Sequence, residues 1–139
     1  MAQQTTLDKI QSLCDLGDGY LNADQFAEAL EKYREAATLI PEPFTEHQLA
    51  LSVYTAIGEA HLFAGQHQQS LEAFQKAMNA QGAIENPLAH LRLGQAYFEV
   101  GRMDDAADEL TRAYMLDGRD VFDGEDDKYL AFLATRITL

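Results

Sequence analysis

The chain has 139 residues, 47% of them hydrophobic, and a formal net charge of −13. That is one domain's worth, enough to bury roughly two-thirds of the unfolded surface. The charge speaks against nucleic acid and anionic membranes, whose phosphates reward Lys and Arg, and favours basic partners.

No run approaches the ~20 apolar residues that span a bilayer. The start, Met1-Ala2-Gln3-Gln4-Thr5-Thr6, has no basic end with an apolar stretch behind it, so no secretory signal is expected. Cys14 is the one cysteine, which leaves no internal disulfide framework and fits a reduced, cytoplasmic setting.

Apolar residues recur at helical spacing almost throughout, which predicts an all-α chain, and the spacing also repeats. The first unit, about residues 7–43, carries Leu13-x2-Leu16-Gly17-x2-Tyr20-x8-Ala29-x3-Tyr33-x2-Ala36-x4-Pro41. Gly17, Ala29 and Ala36 are small where two antiparallel helices must approach, while Leu16, Tyr20 and Tyr33 are large enough to fill the space between them. Asn22-Ala23-Asp24 marks the reversal within the unit, and Ile40-Pro41-Glu42-Pro43 ends it, because proline disfavours helix in the residue before it.

The second unit, about 45–84, repeats the frame as Tyr54, Ile57, Gly58, His61, Ser70, Phe74, Ala77 and Gly82, turning at Gly65-Gln66. Thr45-Glu46-His47-Gln48 reads as a capping box, which predicts about two extra turns at the start of this unit's first helix. The third unit, about 86–118, repeats it as His90, Leu93, Gly94, Tyr97, Ala106, Leu110, Ala113 and Gly118, turning at Gly101-Arg102. It opens with Asn86-Pro87, an N-cap followed by proline at the first helical position. After the acidic stretch from Arg119 to Gly124, an amphipathic helix is expected over about 125–138. Its Tyr129, Leu130, Phe132, Leu133 and Ile137 would cover the bare end of the stack.

These eight recurring positions, spread over about residues 7–118, resemble the tetratricopeptide repeat family, whose unit is about 34 residues long. The resemblance implies a right-handed α-solenoid of three helix-turn-helix pairs plus a C-terminal capping helix. His61 stands for an aromatic, Ser70 for alanine, His90 for a bulky aromatic, and Gly82 and Gly118 for proline. None of these changes breaks the packing pattern.

No constellation for chemistry emerges, so no catalytic residue, cofactor or metal is expected. Neither His61, His90 nor His67 has a second histidine at the i, i+4 spacing of a helical metal pair. The acidic stretch fails as a calcium loop: counting from Asp123, Lys128 and Ala134 stand where glycine and the twelfth-position glutamate are needed. Around Cys14, Asp15 and Asp18 would raise the thiol pKa, which argues against a nucleophile.

The family resemblance implies binding of a partner protein in a concave groove lined by the first helix of each pair. Here those positions are Gln11, Cys14, Asp18, Leu21 and Asn22, then Ser52, Thr55, Glu59, Leu62 and Phe63, then Leu88, Leu91, Arg92, Gln95, Phe98 and Glu99. About half of the apolar ones are expected to pack on neighbouring units instead. The mixture suits a basic or hydrophobically anchored peptide or helix. Family members that grip the acidic C-terminus of heat-shock chaperones use two lysines, two asparagines and an arginine. The matching residues here are Cys14, Asp18, Ala56, Leu88 and Arg92, so only the arginine is retained and Asp18 would repel the ligand.

Two other expectations accompany the adaptor reading. One is a neutralising or chaperoning partner for a basic toxin or effector, since residues 86–95 and 124–133 are similar to small bacterial repeat proteins. The other is a homodimer whose groove is closed by a second copy.

Overall fold

Three reversals of one design set the architecture. Asp24, Gly65 and Gly101 lie four residues after Tyr20, His61 and Tyr97, and all three adopt the left-handed conformation (φ 59°, 79° and 85°). Each turn is closed by a backbone bond to that large residue: Gln25 N–H to Tyr20 (2.9 Å), Gln66 to His61 (2.8 Å) and Arg102 to Tyr97 (2.9 Å). Asp24 occupies this conformation without glycine, as its short polar side chain allows.

The structure is a computed structural model that describes residues 2–139, with side chains from Thr5 onward. The described residues form seven α-helices: α1 (Ala2–Asn22), α2 (Phe26–Thr38), α3 (Ala50–Phe63), α4 (His67–Ala77), α5 (Pro87–Glu99), α6 (Met103–Asp117) and α7 (Asp127–Ala134). Helices α1 to α6 pack as three antiparallel pairs, and α7 lies against the third.

Within each pair a glycine of the first helix lies against a large residue of the second. A Cβ added to Gly17 would stand 2.5 Å from the Tyr33 ring, one at Gly58 2.3 Å from Phe74, and one at Gly94 2.8 Å from Leu110. The frame's small positions are therefore sites of helix contact.

Between pairs, the core runs from Ile10, Ala29, Leu30 and Tyr33 of the first pair into Val53 and Ile57 of the second. It continues from Leu62, Leu71 and Phe74 into Leu93 and Ala96 of the third. Leu91, Leu110, Phe122, Tyr129 and Leu133 close the C-terminal end.

Three expectations need correction. Leu16 is 54% exposed, although Ile57 and Leu93 at the same repeat position are only 9% and 5% exposed. Those two pack on the preceding pair, whereas among the described residues no pair precedes the first. The capping box does not form: Phe44–Glu46 is a single 3-10 turn, α3 begins only at Ala50, and its N-cap Leu49 makes no side-chain cap bond. His47 Nδ1 accepts the Leu49 N–H, and the Thr45 carbonyl accepts the Gln81 N–H, so this segment is spent on a linker. The long helix is α1, with 21 residues against 14 in α3. Finally, the closing helix spans only Asp127–Ala134, capped by the Asp126 carboxylate, and a 3-10 helix, Gly118–Phe122, occupies the stretch before it. At the third pair Asn86 does cap α5, accepting the Ala89 N–H at 3.1 Å.

The two histidines of the repeat frame are buried in different polar settings. His61 lies between Arg34 (3.3 Å) and the Gln66 carboxamide (2.7 Å). His90 directs Nδ1 to Glu109 (2.7 Å) and Nε2 to the Ile84 carbonyl (2.8 Å), so it ties α5 to α6 and to the loop before α5.

Candidate functional site

The first helices of the pairs, α1, α3 and α5, stand side by side and line one face of the stack. That face carries two clefts of different character. Between α1 and α3 lies a cleft of about 240 Å³ lined by Ile10, Gln11, Cys14, Asp18, Leu49, Ser52, Val53 and Ala56. Its floor is apolar, and its rim offers the exposed Asp18, Gln11 and Ser52. The Tyr33 hydroxyl donates to Asp18 at 2.5 Å and fixes the carboxylate in place. Burial, and then the Asp18 carboxylate that the hydroxyl touches, hold the Tyr33 hydroxyl well above its ordinary range. Burial, followed by Asp18 and Asp15, pushes the Cys14 thiol up to about 11, which leaves it an uncharged lining group of low reactivity.

The α5 end is covered. Glu125, just before α7, accepts from Arg92 at 2.6 Å and from Gln95 at 2.7 Å, while Arg92 also donates to Glu59 of α3 at 2.8 Å. Burial opposes the Arg92 charge, but Glu59 and Glu125 outweigh it and hold the guanidinium above its usual pKa. Three residues further on, Lys128 pairs with Glu99 at 2.6 Å and the Tyr129 hydroxyl donates to Glu99 at 2.7 Å. Burial works to raise the Glu99 pKa, yet the bonds from Lys128 and Tyr129 bring it below the usual glutamate range. Phe98 meets the rings of Tyr129 and Phe132 edge-on, each at 5.3 Å.

The sequence-predicted groove residues thus divide. Cys14, Asp18 and Ser52 come together in the first cleft. Leu62, Phe63, Gln95 and Glu99 line a second cleft of about 460 Å³ against the start of α7. Thr55, Leu62, Leu91, Arg92 and Gln95 are buried: Leu91 packs into the terminal core and Leu62 into the core between pairs two and three, among the apolar positions expected to pack on neighbours, while Arg92 and Gln95 are held by Glu125. Leu21 is half-buried against the first core, Asn22 is exposed at the end of α1, and Leu88 is 41% exposed.

Sequence reasoning missed Glu125, Lys128 and Tyr129 as neighbours of the groove. A signal was present: Arg92 is a cation at a position facing the groove, and an acidic stretch follows the repeats and had to fold back on something.

Antiparallel helix pairs that stack on their neighbours and share one lined face define a helical-repeat solenoid. More narrowly, the chain belongs to the tetratricopeptide repeat family: residues 8–82 match one model of that repeat and residues 55–120 match another. In fold it is similar to the Arabidopsis OM64 TPR domain, with a TM-score of 0.74 at 21% identity, covering 94% of this chain and 95% of that one. It is also similar to the Sgt2 TPR domain from Aspergillus fumigatus, with a TM-score of 0.68 at 19% identity, covering 91% and 75%. A third likeness is to the second TPR of Spaghetti (RPAP3) bound to the HSP90 peptide SRMEEVD, with a TM-score of 0.70 at 18% identity, covering 84% and 98%. The comparison with curated proteins gives no match. Among the described residues, no helix is long and apolar enough to cross a membrane.

Proposed function

We propose that this protein is a non-enzymatic scaffold that binds a segment of a partner protein in the cleft between α1 and α3. The observation that carries the reading is the composition of that cleft: an apolar floor of Ile10, Val53 and Ala56, with the exposed Asp18 carboxylate at its rim. A segment that offers an apolar anchor beside a lysine or arginine satisfies both features.

Acidic peptides such as the SRMEEVD held by the RPAP3 domain are the wrong partner for this face. Cys14, Asp18, Ala56 and Leu88 offer no cation, and Arg92 already holds two carboxylates. A charge of −13 makes acidic ligands less welcome still.

The test is capture of partners from the native host, read by mass spectrometry. Ser52 is exposed at the rim of the cleft, so Ser52→Lys adds length and positive charge there without touching the core. A specific partner should be lost with Ser52→Lys and kept with Glu72→Lys on the exposed face of α4. A partner that survives the first change and is lost with the second would place binding elsewhere. A second reading, a neutralising partner for a basic toxin or effector, is favoured by the net charge. It predicts an association rate that falls steeply as salt is raised.

A further inference from the structure

The second cleft, between the α3–α4 turn and the start of α7, has a lining that the protein's own cations do not balance. Glu99 is matched by Lys128, and Glu125 shares Arg92 with Glu59. Asp126 also faces the cleft and has no ion pair among the described residues. Three lining carboxylates, Glu99, Glu125 and Asp126, therefore meet one lining ammonium, Lys128, while Arg92 behind the wall is shared between Glu125 and Glu59. On the apolar side the Phe63 ring, beside the buried Leu62 and Tyr129, is 49% exposed. In the same wall the buried Nδ1 of His67 has no hydrogen-bond partner among the described residues.

We propose that this cleft receives a guanidinium, the side chain of an arginine in the partner segment seated along the groove. The inference rests on the groove reading above and names the chemistry of its second anchor. Guanidinium is the group that answers both features of the lining. Its plane stacks on an aromatic face while its N–H fork bonds to carboxylates at the edge, whereas an ammonium offers a point charge and no plane. The protein already uses this combination around the cleft: the Arg92 guanidinium stands 5.7 Å from the Phe63 ring and bonds to Glu59 and Glu125. An arginine from outside would meet the exposed part of Phe63 with Asp126 and Glu125 beside it. Its approach is aided by the field of a chain carrying −13.

The experiment is a chemical-shift titration of the full chain with N-acetyl-arginine amide, compared with the citrulline analogue, which has the same shape without the charge. Saturable shifts are expected at the amides of Phe63, Gly65, Gly124 and Asp126, and none of comparable size with citrulline. Asp126→Asn keeps the cap on α7, since asparagine caps as well as aspartate, and should weaken the titration about threefold, the effect of one exposed ion pair. Shifts confined to Asp18 and Ser52, or equal shifts with citrulline, would overturn the proposal. Equal affinity for N-acetyl-lysine amide would overturn the assignment to guanidinium. The groove reading stands apart from this result: it fails if partner capture ignores Ser52→Lys, whatever arginine amide does at Phe63.

Discussion

At repeat positions shared by the first and third pairs, the two ends of this stack reach opposite outcomes. Leu16 and Leu93 hold the same place in the frame, yet one is 54% exposed and the other 5%. Cys14 and Asp18 look into an open cleft, whereas Leu91, Arg92 and Gln95 on the third pair are buried under residues that follow the repeats. The repeat frame specifies what each pair does to itself, through the contacts of Gly17 with Tyr33 and Gly94 with Leu110. What a position does beyond its own pair depends on the neighbour, and the neighbour differs at each end: nothing precedes the first pair among the described residues, while α7 and the loop before it fold onto the third.

The sharpest way to break this comparison is to truncate the same repeat position at both ends. Leu93→Ala should cost about 3 kcal/mol, because it opens a cavity between pairs two and three that rigid neighbours close only in part. Leu16→Ala should cost under about 0.5 kcal/mol, as expected of a surface change. Urea melts of the two variants give both numbers. Equal costs would mean that Leu16 is covered in solution, as a homodimer formed through the first pair would require.

The internal logic of the pairs was legible in the sequence because it depends on contacts within about 20 residues, recorded three times. Gly17, Gly58 and Gly94, with the turns at Asp24, Gly65 and Gly101, are where the frame placed them. The groove was legible only in part. Face assignment from the frame gave the positions on α1, α3 and α5, but Glu125 reaches Arg92 across 33 residues and obeys no repeat. The linker was misread for a related reason. Thr45-Glu46-His47-Gln48 has the local chemistry of a helix start, but the Thr45 carbonyl is taken by Gln81, on the far side of the second pair. Tertiary contacts overrode a local signal of about 1 kcal/mol.

The second prediction concerns acid. Glu99 has a lowered pKa because Lys128 and Tyr129 bond to its ionised form, despite the burial that opposes this. The folded value lies below the unfolded one, so the tie adds stability above the unfolded pKa and loses it as pH falls through the folded value. Below about pH 4, where free glutamate protonates, the α7 end should therefore weaken. In Lys128→Gln part of this tie is already absent. The stability gap between wild type and Lys128→Gln, followed by thermal melts, should be full at pH 7 and close as pH falls toward 3. A gap constant over that range would show that Lys128 acts through its contact with the Phe98 and Tyr129 rings alone.

The smallest effect belongs to the open end and gives a direct reading of its occupancy. With its thiol pushed up to about 11, chiefly by burial and then by Asp18 and Asp15, Cys14 should alkylate with iodoacetamide about a hundredfold more slowly than free cysteine at pH 8. The rate should still be climbing at pH 10, where a free thiol has levelled off. Asp18→Asn removes one of the two charges that hold the thiol up and should speed the reaction by less than tenfold, since burial is the larger cause and remains. Because Cys14 lines the cleft beside Ser52, a partner segment seated there must slow alkylation further, while one bound only on the outer face of α4 leaves the rate unchanged. Measured with a captured partner present, the Cys14 rate therefore separates occupancy of the open cleft from binding elsewhere on the stack, and does so without a substitution.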